Sequence, residues 1–133
     1  MIKFKPKQKI QLSTHFDSTE FDCVCGNCKE NYVDQKLIDL LEEVREKFGE
    51  ALTVTSGYRC PVHNKAVGGA VASQHVNGLA ADIKPKSSTK EKLDKLYAIC
   101  YDIFDNIGDG RPKGFIHVDV RPAKSSGKRT WIY

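Results

Sequence analysis

Residues 115–121, Phe-Ile-His-Val-Asp-Val-Arg, alternate in polarity and are rich in β-branched side chains, and no other run constrains the fold as much. That alternation predicts a strand. Side chains two apart on a strand share a face, so His117 and Asp119 point the same way. Two helical stripes supply a second layer. From Asp34 onward, Leu37, Leu40, Leu41, Val44 and Phe48 recur at three- and four-residue steps, with Asp34 as N-cap and Gly49 as stop. Ser88-Thr89-Lys90-Glu91 has capping-box spacing ahead of Leu93, Leu96, Tyr97, Cys100 and Phe104.

Shorter strands are expected at Ala51–Thr55, ended by Ser56-Gly57, at Ala80–Lys84, stopped by Pro85, and at Thr130–Tyr133. Gly108, Gly110, Pro112 and Gly114 read as a turn-rich connection. Residues 1–33 look irregular, with a turn at Cys25-Gly26-Asn27. Residues 60–79 are rich in glycine and small side chains and lack apolar periodicity, so they read as a long loop of the kind that carries function. Two main helices on a small, mostly antiparallel sheet make an α+β domain. At 133 residues the chain fits a single domain, 1–133.

No apolar run approaches the roughly 20 residues that cross a bilayer, so no membrane insertion is expected. The first residues, MIKFKPKQKIQLSTHF, carry lysines without an apolar stretch behind them, which is not a secretory signal. Synthesis in the cytoplasm is expected, with another route to any target outside it. The net charge of +4 is spread along the chain, without a basic stripe interleaved with aromatics, so nucleic acid is not an expected partner. A monomer is expected.

Five cysteines cannot all pair within one chain. Cys23, Cys25 and Cys28 are clustered, and Cys60 stands apart from them in sequence. Those four could form a structural metal site that staples the N-terminal segment, or include a disulfide, or remain thiols. Cys100 falls on the second helical stripe and belongs to the core.

Four histidines are present. His15 and His63 have no partner at a diagnostic spacing. His75 lies in the glycine-rich loop seven residues before Asp82, and His117 lies on the best strand. If the Asp82 strand runs beside that of His117, the three converge. Two histidines and a carboxylate are a known protein shell for catalytic zinc, with a fourth position open to water. On spacing alone the signal is weak. Trp131 is expected near the edge of such a site or sealing the sheet.

Ser56-Gly57-Tyr58-Arg59, Gly68-Gly69, Ser73-Gln74-His75, Gly78, Ala80-Ala81-Asp82 and Phe115-Ile116-His117-Val118-Asp119 together resemble the zinc D-Ala-D-Ala carboxypeptidase-like peptidases. These share a fold with the amino-terminal signalling domain of hedgehog proteins. The likeness runs from about residue 15 to Trp131. It is strongest to the small murein endopeptidases of phages and bacteria. The resemblance implies one catalytic zinc on His75, Asp82 and His117; a second, structural zinc remains the option left open by the cysteines themselves. It places Arg59 where relatives hold a substrate carboxylate or the carbonyl under attack. Ser73 falls where relatives bind the substrate backbone, although it could equally cap the loop.

The pattern departs from the family at the general base. Relatives often carry an acid three positions before the last histidine ligand, where this chain has Gly114. Asp119 is the nearest acidic candidate and Asp109 the second, and Asp119 could instead orient His117. The expectation is a zinc peptidase cutting peptide bonds in peptidoglycan, acting as a phage endolysin or virion part. The competing expectation is a zinc-stabilised binding or phage structural module without catalysis.

Overall fold

The computed structural model describes residues 1–26, 28–70 and 72–133. The expected turn at Cys25-Gly26-Asn27 therefore includes one residue, Asn27, that lies outside the described residues. The elements run β1 (Ile2–Phe4), β2 (Asn31–Val33), α1 (Gln35–Phe48), β3 (Leu52–Ser56), α2 (Pro61–Ala66), β4 (Ala80–Pro85), α3 (Lys90–Ile103), β5 (Asn106–Gly110), β6 (Phe115–Asp119) and β7 (Arg129–Ile132). Short 3₁₀ turns occupy Ser18–Phe21 and Arg111–Lys113. None of the described helices is long and apolar enough to cross a membrane.

Helix α1 starts where Asp34 accepts a hydrogen bond from the Lys36 N–H, and it ends at Gly49 in the left-handed conformation, φ 78°. It buries Leu37, Ile38, Leu41, Val44 and Phe48. Helix α3 buries Leu93, Leu96 and Cys100 on one stripe. Its cap is Thr89, whose side chain accepts from the Lys92 N–H, and not Ser88 as the capping-box spacing suggested. Both helices contribute to one core with Ala81, Ile83, Ile107, Ile116 and Val118 of the sheet. Truncating a fully buried member such as Leu96 to alanine costs about 2–5 kcal/mol.

The main sheet has the strand order β3-β4-β6-β5-β7. Every pairing is antiparallel except β5 with β7, which is parallel. A separate antiparallel pair joins β1 to β2, so the N-terminal segment is more ordered than its sequence suggests. The 60–79 stretch also departs from expectation, since its first part folds into α2, with Pro61 at its first position.

The expected turn at Gly108 and Gly110 is instead strand β5, an interior strand between β6 and β7. Gly108 is required there by close approach. A Cβ on it would stand 2.5 Å from a Tyr133 ring carbon and 2.7 Å from the Trp131 indole nitrogen. The strand reads as a turn in sequence because its middle residue gives up a side chain to make room for two aromatic rings. The final strand begins at Arg129, one residue ahead of the Thr130 expected.

Register arranges the sheet's two faces. Ser56 pairs with Asp82, Asp82 with His117, His117 with Gly108, and Gly108 with Trp131. These five residues form one row across the sheet, on the face opposite the helices. Asp119 and Asn106 are paired on the same face, two residues along.

Candidate metal centre

His75 reaches the row from the loop between α2 and β4. Its ring Nδ1 lies 2.8 Å from the Gly57 carbonyl oxygen, which can only accept, so Nδ1 carries the proton. On a neutral ring the lone pair is then on Nε2. That nitrogen is buried, makes no hydrogen bond among the described residues, and lies 3.3 Å from Asp82 Oδ1. Nε2 therefore meets Asp82 either as a second N–H of the ring or, on a neutral ring, as a lone pair that repels the carboxylate unless a cation sits between them.

His117 repeats the arrangement. Its Nε2 meets Asp119 Oδ2 at 2.9 Å, and its Nδ1 meets Asp82 Oδ1 at 3.0 Å. With Asp119 accepting the Nε2–H, Nδ1 meets Asp82 either as a second N–H or as a lone pair sharing a cation with it. Burial works against a charge on the ring, but the two flanking carboxylates win and push the His117 pKa up. Burial likewise opposes ionisation of Asp82, yet His117 and His75 hold its carboxyl well below the usual range.

His75, Asp82 and His117 each offer a donor atom within 4.8 Å of the others. A tetrahedral zinc site with nitrogen and oxygen bonds of about 2.0–2.1 Å has donor–donor edges of about 3.3 Å. The separations of 3.3 Å and 3.0 Å on Asp82 Oδ1 match those edges. Two imidazoles and one carboxylate, with an orphaned buried nitrogen among them, fit a divalent zinc ion.

Asp119 is fully enclosed and fully engaged. Besides His117, its Oδ2 accepts from Arg121 Nη2 at 2.7 Å, and its Oδ1 accepts from Arg121 Nε and the Arg121 backbone N–H. Four hydrogen bonds use the acceptor sites of a carboxylate. Burial would raise its pKa, but His117 and Arg121 hold it down. Arg121 also stacks over Trp131, 5.2 Å from the ring centroid.

The expected second acid, Asp109, is not at this site. It pairs with Ile116, so it faces the helix layer, where Arg111 binds both its oxygens at 2.9 and 2.7 Å and links it to Asp94 of α3. The reason is parity: Gly108 shares a face with His117, and its neighbour cannot.

A cleft of about 490 Å³ opens over the row, walled by Arg59, Ser73, His75, Arg121, Trp131 and Tyr133 among others. The buried Nε of Arg59 has no hydrogen-bond partner among the described residues. The backbone N–H of Arg59 donates to the His75 carbonyl at 3.2 Å, tying its position to the histidine loop. Ser73 serves that loop, its hydroxyl oxygen accepting from the His75 N–H at 3.3 Å, while also lining the cleft. Trp131 packs against His117 with centroids 5.2 Å apart, combining both expected roles. His15 bridges to Glu42 of α1 at 2.6 Å, away from the cleft.

Cys23, Cys25, Cys28 and Cys60 also converge, their sulfurs all within 4.8 Å of one another. Burial first, then the neighbouring thiols, push the Cys28 pKa far up. Cys100 is fully buried in the core on α3, as expected.

Three contributors to the cleft were not singled out by sequence. Arg121 had a signal, since it continues the two-residue step of His117 and Asp119. Gly108 and the Gly57 carbonyl had none, because their roles are an absent side chain and a backbone oxygen.

No curated protein matches this chain. A family model described as Peptidase M15 matches residues 14–119, which takes in Arg59, all three converging metal-ligand candidates and Asp119. That span covers most of the 133 residues, and the chain belongs to the Peptidase M15 family of zinc D-Ala-D-Ala carboxypeptidase-like peptidases.

Proposed function

We propose that the protein is a zinc-dependent peptidase that hydrolyses peptide bonds in the stems or cross-links of peptidoglycan, with His75, Asp82 and His117 as the metal ligands. The observation that carries the reading is the orphaned Nε2 of His75 facing Asp82, with its tautomer fixed by Gly57. A zinc ion held there supplies Lewis acidity at the scissile carbonyl and at the attacking water.

The remaining work falls to the chain's own side chains. Asp119 holds the Nε2–H of His117, so that Nδ1 faces Asp82 with its lone pair, and Arg121 holds Asp119 in turn. This is a positioning role, common around metal-bound histidines. Its saturated carboxylate is poorly suited to accept a proton from water. Arg59 lines the cleft wall with a guanidinium of the kind that suits a substrate carboxylate or the carbonyl under attack. Ser73 fixes the His75 backbone and leaves its hydroxyl at the wall for a substrate amide. Trp131 and Tyr133 form an apolar side against which a peptide stem can lie.

One observation favours a second reading. Gly114 stands where relatives carry an acid, and Asp119 is spent on His117 and Arg121. A zinc-bearing module that binds wall peptides without cutting them fits that deficit. Incubating zinc-loaded protein with purified peptidoglycan and reading the soluble products by mass spectrometry separates the two. Released peptide fragments, lost on chelation and restored by zinc, support the peptidase. Sedimentation with the wall and no fragment release supports the binder. Neither fragments nor wall binding overturns the assignment of peptidoglycan as substrate.

A further inference from the structure

Four sulfurs meet at a second place in the molecule that the proposed chemistry does not use. Cys23, Cys25 and Cys28 come from the segment leading to β2, and Cys60 comes from the turn between β3 and α2. Cys25 Sγ lies 3.2 Å from Cys28 Sγ and 3.7 Å from Cys60 Sγ. A tetrahedral ion with zinc–sulfur bonds of about 2.3 Å has sulfur–sulfur edges of about 3.8 Å. The cluster is therefore close to the size such an ion needs, and a small contraction or expansion completes it.

Backbone donors point at two of the four sulfurs. The Cys60 backbone N–H points at Cys23 Sγ at 3.4 Å, and the His63 N–H points at Cys60 Sγ at 3.4 Å. Backbone donors aimed at sulfur are the outer-shell support that thiolate ligands receive. We propose that Cys23, Cys25, Cys28 and Cys60 bind a structural zinc ion through four thiolates. A closed all-sulfur set leaves no position for substrate, so this site is structural and separate from the cleft.

The consequence reaches the cleft through the chain itself. Cys60 directly follows Arg59 in sequence, and the Gly57 carbonyl that orients His75 lies three residues before Cys60. An ion on Cys60 pins the turn carrying both to the Cys23–Cys28 segment. The Tyr58 N–H to the Phe21 carbonyl and the Cys23 N–H to Asn31 Oδ1 are protein contacts that such an ion would reinforce.

The test uses the full chain, refolded with cobalt in place of zinc under reducing conditions. Thiolate-to-cobalt charge-transfer bands should appear in the near ultraviolet with the intense visible bands of a tetrahedral sulfur site. The double variant His75→Ala/His117→Ala should keep those bands at full amplitude, because they arise away from the cleft. Cys25→Ser/Cys28→Ser should lose them while any cobalt signal from nitrogen and oxygen ligands persists. Absence of thiolate bands in the wild-type chain overturns the proposal, whatever the variants do. So does an intact mass showing the loss of hydrogen that marks a disulfide within the cluster under the same reducing conditions. Failure of peptidoglycan cleavage leaves these readouts untouched, since none of them measures activity.

Discussion

The Nδ1 of His75 donates to the carbonyl oxygen of Gly57 at 2.8 Å, and this one contact decides which ring nitrogen is left to face Asp82. A backbone oxygen at a strand end thus sets the tautomer of a side chain eighteen residues later.

From that geometry, His75→Ala, Asp82→Ala and His117→Ala should each lose the cleft ion, because each removes one donor of three. The affinity loss should exceed the roughly 10–100-fold typical of outer-shell changes around a metal. Competition with a chelator, read on folded protein, measures it. Unchanged affinity in folded His75→Ala protein would show that the ion lies elsewhere.

Asp119→Asn separates positioning from proton transfer. An amide cannot match the four contacts of Asp119, so the His117 ring loses its restraint. Zinc affinity should drop about 10–100-fold, with activity following it, and saturating zinc should restore most of the rate. A fall of about 10²–10⁴-fold at saturating zinc, with affinity intact, would return the general-base role to Asp119.

Arg59→Ala should leave zinc content unchanged and weaken kcat/KM. A charge-assisted hydrogen bond contributes about 1.5–3 kcal/mol, or roughly 10–150-fold. Arg59→Lys should recover part of that if only charge matters, and little if the planar fork is used. Steady-state kinetics on a defined stem peptide gives the answer, and kinetics indistinguishable from wild type in Arg59→Ala would remove this residue from the substrate site.

Much of this site was legible beforehand, and the limits have identifiable causes. The convergence of His75, Asp82 and His117 was expected from the family resemblance and from the pairing of two strands, since spacing alone carried a weak signal. Helix α1 was readable from cap to stop, as its leucine stripe and Gly49 are local signals. Strand β5 was misread as a turn, since Gly108 answers to the rings of Trp131 on β7 and of Tyr133 just after it, more than twenty residues away. Asp109 was misplaced as a consequence: once Asn106–Gly110 is a strand, its parity sends the carboxylate to Arg111.

Gly108→Ala tests that account directly. The added methyl must displace Tyr133 and Trp131, both closer than a Cβ tolerates. Overpacking of this kind costs about 1–3 kcal/mol. Trp131 is the sole tryptophan in the chain, so its fluorescence should shift along with the melting temperature. An unaltered emission spectrum and melting temperature would mean that the rings do not rest on this glycine.

Asp109→Asn probes acid stability away from the cleft. Arg111 is the main cause holding the Asp109 pKa below its ordinary value. A depressed carboxyl stabilises the fold fully above its unfolded pKa of about 3.9, and that contribution is lost as pH falls through the folded value. At neutral pH the variant should be less stable by about 1–2 kcal/mol. Denaturant titrations across pH should show the gap to wild type closing below about pH 4. A gap that stays constant into strong acid would show that the ion pair contributes nothing.

The row from Ser56 through Asp82, His117 and Gly108 to Trp131 has a further consequence for how the chain reaches its native state. Slipping a strand by one residue turns all its side chains to the other face. A β4 or β6 out of step would bury Asp82 or His117 among the leucines of the helices and leave no place for an ion. A zinc ion bound there during refolding would reward only the correct pairing, and the cleft would then act as a proof-reader of its own sheet.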